Sequence, residues 1–206
     1  MYEYETSLTE KGYHFICGVD EAGRGPLAGP VVAGAVILNQ NDRIEGLNDS
    51  KQLTDKKRRL LFNEIKQRAL AYGIGFVFPD EIDRINIYQA SKKAMLLAIE
   101  AMAVKPDCLL TDAMPITTLT IPVLPIIKGD TLSASIAAGS ILAKVTRDDY
   151  MIQMASTYPH YGFDVHKGYP TKQHKEALAL WGVTPLHRKS YHPVKTIIEQ
   201  QLSLNL

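Results

Sequence analysis

Phe15-Ile16-Cys17-Gly18-Val19-Asp20-Glu21-Ala22-Gly23-Arg24-Gly25-Pro26 is the stretch on which the fold turns. Phe15 to Val19 reads as a buried strand. Two adjacent acids follow at once, and then a turn with two glycines around an arginine. Charges at a strand end must be paired or neutralised, and glycines weaken an element unless its backbone needs the freedom. Together these features point to a metal held beside a substrate backbone. The turn lacks the lysine-serine/threonine ending of a P-loop and the spacing of a dinucleotide fingerprint.

Working outward, Val31 to Leu38 reads as a second strand, joined to the first by the glycine-rich turn. Leu60, Leu61, Ile65 and Leu70 recur with helical period between Thr54, a plausible N-cap, and about Ala71. Tyr72 to Phe78 predicts a third strand, and Asn86 to Val104 a helix stopped by Pro106. Cys108 to Asp112 is a short apolar strand that again ends in an acid. Ile121 to Ile127, interrupted by prolines, predicts a strand near the sheet edge that leads through Lys128-Gly129 to Asp130. Helices are expected over Ser133 to Met154, over Thr171 to Trp181 with Gly182 as its stop, and from Pro193 onward. The whole reads as α/β: a mixed five-stranded sheet flanked by helices, in one domain over 1–206. About 155–200 would form a helical C-terminal extension, and 201–206 a free tail.

Three strand-like runs therefore lead into carboxylates: Asp20-Glu21, Asp112 and Asp130. If those strands are neighbours, four acids converge at one rim, and they cannot all stay ionised without a counter-charge. Oxygen ligands with no histidine or cysteine beside them favour Mg²⁺ or Mn²⁺ over zinc. Two such ions about 4 Å apart can activate a water and stabilise the leaving oxygen of a phosphoryl transfer. For each acid taken singly, capping a following turn is the competing role.

Composition narrows the partners. A net charge of +1 gives no whole-molecule attraction to nucleic acid, so any such contact must be local. Lys56-Lys57-Arg58-Arg59, taken alone, is a solvated helix face. The apolar runs fall far short of the ~20 residues of a membrane span, and the N-terminus lacks the pattern of a secretory signal. Cys17 and Cys108 lie in strand-like segments as small buried hydrophobes, which fits a reducing cytoplasm. His160, His166, His174, His187 and His192 match no zinc-ligand spacing. Surface or nucleic-acid-facing roles are expected for them.

At these residues the sequence resembles the bacterial ribonuclease HII family, the type 2 ribonucleases H. Gly18 to Pro30 resembles the family's N-terminal signature, and Asn48-Asp49-Ser50-Lys51-Gln52-Leu53 its second block. Asp112-Ala113 resembles the third, and Lys128-Gly129-Asp130, continuing through Ser135 to Ala138 and Lys144 to Asp148, the fourth. Tyr161-Gly162-Phe163 and His166 to Thr171 resemble the bacterial C-terminal block. The resemblance spans about residues 14 to 194 in the expected order. It implies a ribonuclease H-like fold and cleavage of RNA in RNA–DNA hybrids. It also implies nicking on the 5′ side of single ribonucleotides embedded in duplex DNA.

The family's acidic quartet falls on Asp20, Glu21, Asp112 and Asp130, with Mn²⁺ or Mg²⁺ as cofactor, and leaves Asp148 a surface or structural part. The 2′-hydroxyl is all that separates a ribose from its deoxy neighbours. Gly23, Arg24 and Gly25 are expected to approach it with bare backbone. Tyr169 matches the family tyrosine that packs on the next sugar. Lys51, Ser140 and Lys144 are candidates for phosphate contacts. Gln201 to Leu206 resembles the short motif by which bacterial replication proteins dock on the sliding clamp. A monomer is expected, with no membrane partner. The rival readings are a non-catalytic hybrid-binding module of the same fold, or another ribonuclease H-fold nuclease.

Overall fold

The computed structural model describes residues 1–204 of the chain. A first helix, α1 (Glu3–Glu10), precedes the strands β1 (Ile16–Ala22) and β2 (Val31–Ile37). Helix α2 (Asp55–Arg68) leads to β3 (Ala71–Val77), and α3 (Pro79–Ile85) and α4 (Ile87–Glu100) follow. The parallel strands β4 (Cys108–Asp112) and β5 (Val123–Ile126) come next, then α5 (Gly129–Leu132) and the long α6 (Ala134–Thr157). The chain closes with α7 (Phe163–His166), α8 (Lys172–Trp181) and α9 (His192–Leu204). No helix among the described residues is long and apolar enough to cross a membrane.

The sheet order is β3-β2-β1-β4-β5. The first three strands form an antiparallel meander, and β4 and β5 run parallel to β1. This is the mixed five-stranded sheet the sequence predicts, with the proline-interrupted strand at the edge. Alternation along β1 sends Cys17 and Val19 into the core under α4, and Ile16 and Asp20 toward the opposite layer. Strand β4 repeats the pattern, with Leu109 under α4 and Leu110 opposite. Val19 pairs with Thr111, so Asp20 and Asp112 take the next step of a parallel register and share one face.

Helix α6 reaches that face through the backbone. A Cβ at Gly34 would overlap the Gly139 carbonyl, and one at Gly139 would overlap the Gly34 carbonyl. The helix therefore lies directly on the sheet, which brings Ser140 against β1 beside Asp20. At its N-terminus the Ser133 hydroxyl accepts from the Ile136 amide, and the buried Glu5 of α1 accepts from Ser133 Oγ at 2.6 Å and from the Ser135 amide at 2.8 Å.

Several elements depart from the sequence expectation. Strand β1 runs on through the acids to Ala22, because β2 continues to pair with it at Asp20 and Glu21. The expected helix over 86–104 is α4, which stops earlier, at Glu100, and an unexpected helix, α3, precedes it. Asn86, at φ 66°, breaks the chain and caps α4 by accepting from the Tyr88 and Gln89 amides. Helix α1, whose buried residues are Glu5 and Leu8, gave no amphipathic signal to find. At the far end α9 continues to Leu204, where a free tail was expected from residue 201; positions 205 and 206 lie outside the described residues.

Candidate active site

Three carboxylates meet at the rim. One oxygen each from Asp20, Asp112 and Asp130 lies within 4.8 Å of the others. Asp20 and Asp112 come from adjacent parallel strands, as the strand-end logic requires. Asp130 arrives differently: it sits in the one-turn helix α5 after β5, reached through Lys128 in a left-handed conformation. Asp112 holds that turn in place by accepting from the Gly129 amide at 2.8 Å. Glu21, next along β1, lines the same cleft as Asp20 and Asp112 and bonds Arg24 Nη1 at 3.2 Å. Its Oε2 is buried without a partner. The structure thus gathers three of the four expected acids and places the fourth alongside, held by the loop arginine.

The rim is electrostatically unsatisfied. Burial, then the neighbouring Glu21 and Asp112, push the Asp20 carboxyl well above its ordinary range, against a hydrogen bond from Ser140. Burial likewise raises Glu21 despite Arg24, and burial with Asp112 and Asp49 raises Asp130 despite Lys51. Lys51 Nζ lies 3.8 Å from Asp130 and 3.9 Å from Asp49. Burial works against its charge, but Asp49, Asp20, Asp130 and Asp112 together outweigh it and raise its pKa. One exposed lysine cannot neutralise this many acids. An all-oxygen donor set with an orphaned carboxylate oxygen fits hard divalent cations.

The acids open into a cleft of about 530 Å³ lined by Gly23, Arg24, Gly25, Lys51, Ser140, Lys144 and Tyr169. All the substrate-side residues expected from the sequence are therefore brought together. Tyr169 faces Gly25, where a Cβ would stand 3.9 Å from its ring. Lys144 Nζ and Arg147 Cζ lie 5.6 and 5.7 Å from the ring centroid. Lys144 also bonds Asp148 at 2.9 Å, which accounts for that acid as structural. Ser140 Oγ and Ser50 Oγ are 2.9 Å apart, tying the Asn48–Leu53 loop to α6.

Sequence reasoning missed the residues that shape this cleft. Arg58 was assigned to a solvated face, yet it turns inward and donates to the carbonyls of Ser50 and Leu53, while Lys56 and Lys57 stay exposed. Arg188 is fully buried and gathers the glycine loop: Nη2 bonds Gly23 O at 2.6 Å, Nη1 bonds Arg24 O at 2.9 Å and Nε bonds Gly29 O at 3.0 Å. Arg147, equally buried, donates to Pro30 O and Ala28 O, and it fills the space that a side chain at Gly23 (φ 98°) would need. Burial, with Arg188 nearby, lowers Arg147 to about 10, so it remains cationic at neutral pH. No local pattern marks these arginines: Arg58 even has Asp55 within helical reach and pairs with it at 3.3 Å.

Of the five histidines expected at the surface, His160 and His192 are exposed, and the other three are not. His166, His174 and His187 are buried together, not displayed at the surface or toward nucleic acid. Cys17 and Cys108 are free and buried, as expected.

Acids gathered at the rim of a mixed five-stranded sheet, under a helix laid on its backbone, define a nuclease of the ribonuclease H-like class. The comparisons agree. The sequence matches the ribonuclease HII family over residues 17–194. It is 52% identical to ribonuclease HII of Bacillus cytotoxicus over 98% of this chain and 78% of that protein. To ribonuclease HII of a Geobacillus strain it is 53% identical, over 98% and 72% of the two chains. Among solved structures, ribonuclease H2 of Pyrococcus horikoshii superposes with a TM-score of 0.77 at 27% identity, covering 91% of this chain and 98% of the other. The ribonuclease HII in the PCNA complex from Archaeoglobus fulgidus shares the fold, with a TM-score of 0.74 at 24% identity over 86% and 95%. The chain belongs to the ribonuclease HII family, enzymes that hydrolyse RNA in RNA–DNA hybrids.

Proposed function

We propose that this chain cuts the phosphodiester on the 5′ side of ribonucleotides, both in RNA–DNA hybrids and at single ribonucleotides within duplex DNA. Asp20, Glu21, Asp112 and Asp130 would hold two divalent cations, Mg²⁺ or Mn²⁺. The observation that carries the reading is the gathering of Asp20, Asp112 and Asp130, with Asp20, Glu21 and Asp112 lining one cleft together with the Gly23–Gly25 loop and Tyr169. When bound, such cations polarise an attacking water and offset the charge that builds on the leaving oxygen.

The protein's own groups set the choice of bond. Arg188 and the Tyr191 hydroxyl both donate to the Arg24 carbonyl, so the loop backbone is fixed before substrate arrives. Preorganised donors of this kind avoid reorganisation during the reaction. The glycines let main chain approach a 2′-hydroxyl closely, and the Tyr169 ring packs on the sugar that follows, where a second 2′-hydroxyl would fit less well. Lys51, Lys144 and Ser140 take phosphate oxygens, which positions the duplex without reading its sequence. Binding then weakens steeply with salt.

The test is a DNA duplex carrying one ribonucleotide, assayed with Mg²⁺, with Mn²⁺ and with chelator. A nick that needs metal and falls 5′ to the ribonucleotide is expected. Equal cutting of an all-DNA duplex, or cutting in chelator, ends the reading. Gln201–Leu206 is further proposed to dock on a sliding clamp. The helical course of α9 to Leu204 would make residues 201–204 part of a helix end rather than a free strand, while 205 and 206 lie outside the described residues. Deleting 201–206 should abolish clamp binding and leave cleavage intact. The working form is proposed to be a cytoplasmic monomer, which sedimentation at micromolar concentration checks.

A further inference from the structure

His166, His174 and His187 form a buried layer beneath the segment that carries Tyr169. The His166 and His174 rings stack with centroids 4.5 Å apart, and Phe163 presents its edge to both. His174 Nε2 and His187 Nε2 are 3.1 Å apart, and the Tyr161 ring tilts over His187.

The main chain at either end dictates where the protons sit. His174 Nδ1 lies 3.0 Å from the Tyr169 carbonyl, which can only accept, so this nitrogen carries hydrogen. In a neutral ring Nε2 is then bare and must accept, and the donor opposite it is His187 Nε2. That leaves His187 Nδ1 bare. The other end of the hydrogen-bond chain demands the same thing: the Thr184 amide, which can only donate, points at His187 Nδ1 from 3.0 Å, and the Thr184 hydroxyl, 2.9 Å from that nitrogen, can donate to it as well. Two backbone groups, one a fixed donor and one a fixed acceptor, thus enforce a single tautomer on each ring between them.

His166 follows the same logic. Its Nε2 donates to the Tyr161 carbonyl at 2.6 Å, and its Nδ1 accepts from the Gly168 amide at 3.2 Å. A proton added to the bare nitrogen of any of the three rings would set a new N–H against the donor that nitrogen now accepts from. Of charged side chains, Asp164 and Lys167 act on His166, and their influences oppose one another. On His174 and His187 the titratable neighbours are the histidines themselves. Burial, first, and then the neighbouring imidazoles lower His174 to about 4 and His187 to about 3, which agrees with neutral rings.

We propose that these histidines are positioning residues for Tyr169: a neutral hydrogen-bond chain of fixed direction, from the Thr184 amide through His187 and His174 to the Tyr169 carbonyl, braced by His166 at the Gly168 amide. Between the two anchors, the Gly168 carbonyl accepts from the Leu27 amide at 2.8 Å. The backbone of residues 168 and 169 is therefore fixed against the glycine loop, and the ring against Gly25. A proton order that holds neutral groups in register costs no buried charge, and small displacements at a reacting centre lower rates strongly. The functional half of the inference rests on Tyr169 facing the substrate sugar; the proton order does not.

Two experiments test it. Long-range ¹H–¹⁵N correlation spectra of the histidines at pH 7 should give the Nε2–H tautomer for His166 and His187 and the Nδ1–H tautomer for His174. An imidazolium at any of the three, or Nδ1–H at His187, overturns the chain. In kinetics, His174→Leu removes both bonds and should lower kcat/KM for a single embedded ribonucleotide by about tenfold or more. His174→Asn, whose amide can still donate to the Tyr169 carbonyl, should recover most of that loss. In a Tyr169→Ala background His174→Leu should add little. A full His174→Leu effect in that background overturns the positioning role. If Tyr169→Ala is itself silent while the tautomers are as stated, the sugar-facing role of Tyr169 fails and the proton chain stands.

Discussion

The sheet rim and the layer beneath Tyr169 both bury titratable side chains, yet they treat them in opposite ways. At the rim, Asp20, Asp112 and Asp130 crowd within 4.8 Å, Glu21 keeps an orphaned oxygen, and burial drives the carboxyls of Asp20, Glu21 and Asp130 toward the neutral form. In the histidine layer every ring nitrogen has a partner of the right kind, and no charge is required. One region is incomplete until something positive enters it. The other is complete as it stands. Chemistry is assigned to the unfinished region and geometry to the finished one.

That contrast can be broken, most severely at the rim. Asp112→Asn should reduce metal-dependent nicking by at least about a thousandfold while retaining duplex binding, measured by single-turnover cleavage and by binding in Ca²⁺. Substantial residual nicking would mean that the gathered carboxylates are not the reacting centre.

Arg188→Met strikes the glycine loop between the two regions. It strips a donor from the carbonyls of Gly23 and Gly29 and leaves that of Arg24 to the Tyr191 hydroxyl, and should cost about 3 kcal/mol or more in urea unfolding. A loss under about 1 kcal/mol would show that the loop does not depend on its clamp.

The histidine layer should reveal itself through pH. Folded His174 and His187 titrate at about 4 and about 3, below their ordinary value of 6.5. Between those values and 6.5 the unfolded chain binds more protons than the folded one, so the layer's stability is full above about 6.5 and is lost as pH falls toward 4. Urea midpoints should decline over that window, and less so in His174→Asn. An unchanged slope in the variant removes His174 from the account.

The smallest effect returns to the rim. With chelator present, Asp20→Asn should raise the unfolding free energy measured in urea slightly, by about 1 kcal/mol, since a buried like-charge repulsion is relieved. With Mg²⁺ the order should reverse, because the wild type gains more from binding.

How much was legible beforehand follows from the range of each interaction. The acids of β1 and β4 could be read because a strand that leads into carboxylates is a local pattern, and a parallel register then makes Asp20 and Asp112 neighbours. Asp130 was legible in the same way, since the run after Ile121 leads into it, and the resemblance agreed; what the pattern could not show is the route, which depends on Lys128 turning left-handed and on Asp112 holding the Gly129 amide. Arg188 lies more than 160 positions from the loop carbonyls it binds at Gly23 and Arg24, and nothing in its own neighbourhood announces that role. The histidines carried no readable signal either. Their spacing fits no metal, and their order comes from carbonyls and amides, which any sequence supplies.

The meeting of Gly34 with Gly139 has a thermal consequence. Most of the core is a fit between side chains, which loosens by exchanging rotamers as temperature rises. Where α6 rests main chain on main chain, no rotamers exist to exchange. The separation between Ser140 and the rim acids should therefore stay constant on warming until the helix leaves the sheet altogether, so that the cleft is lost in one step rather than by gradual blurring.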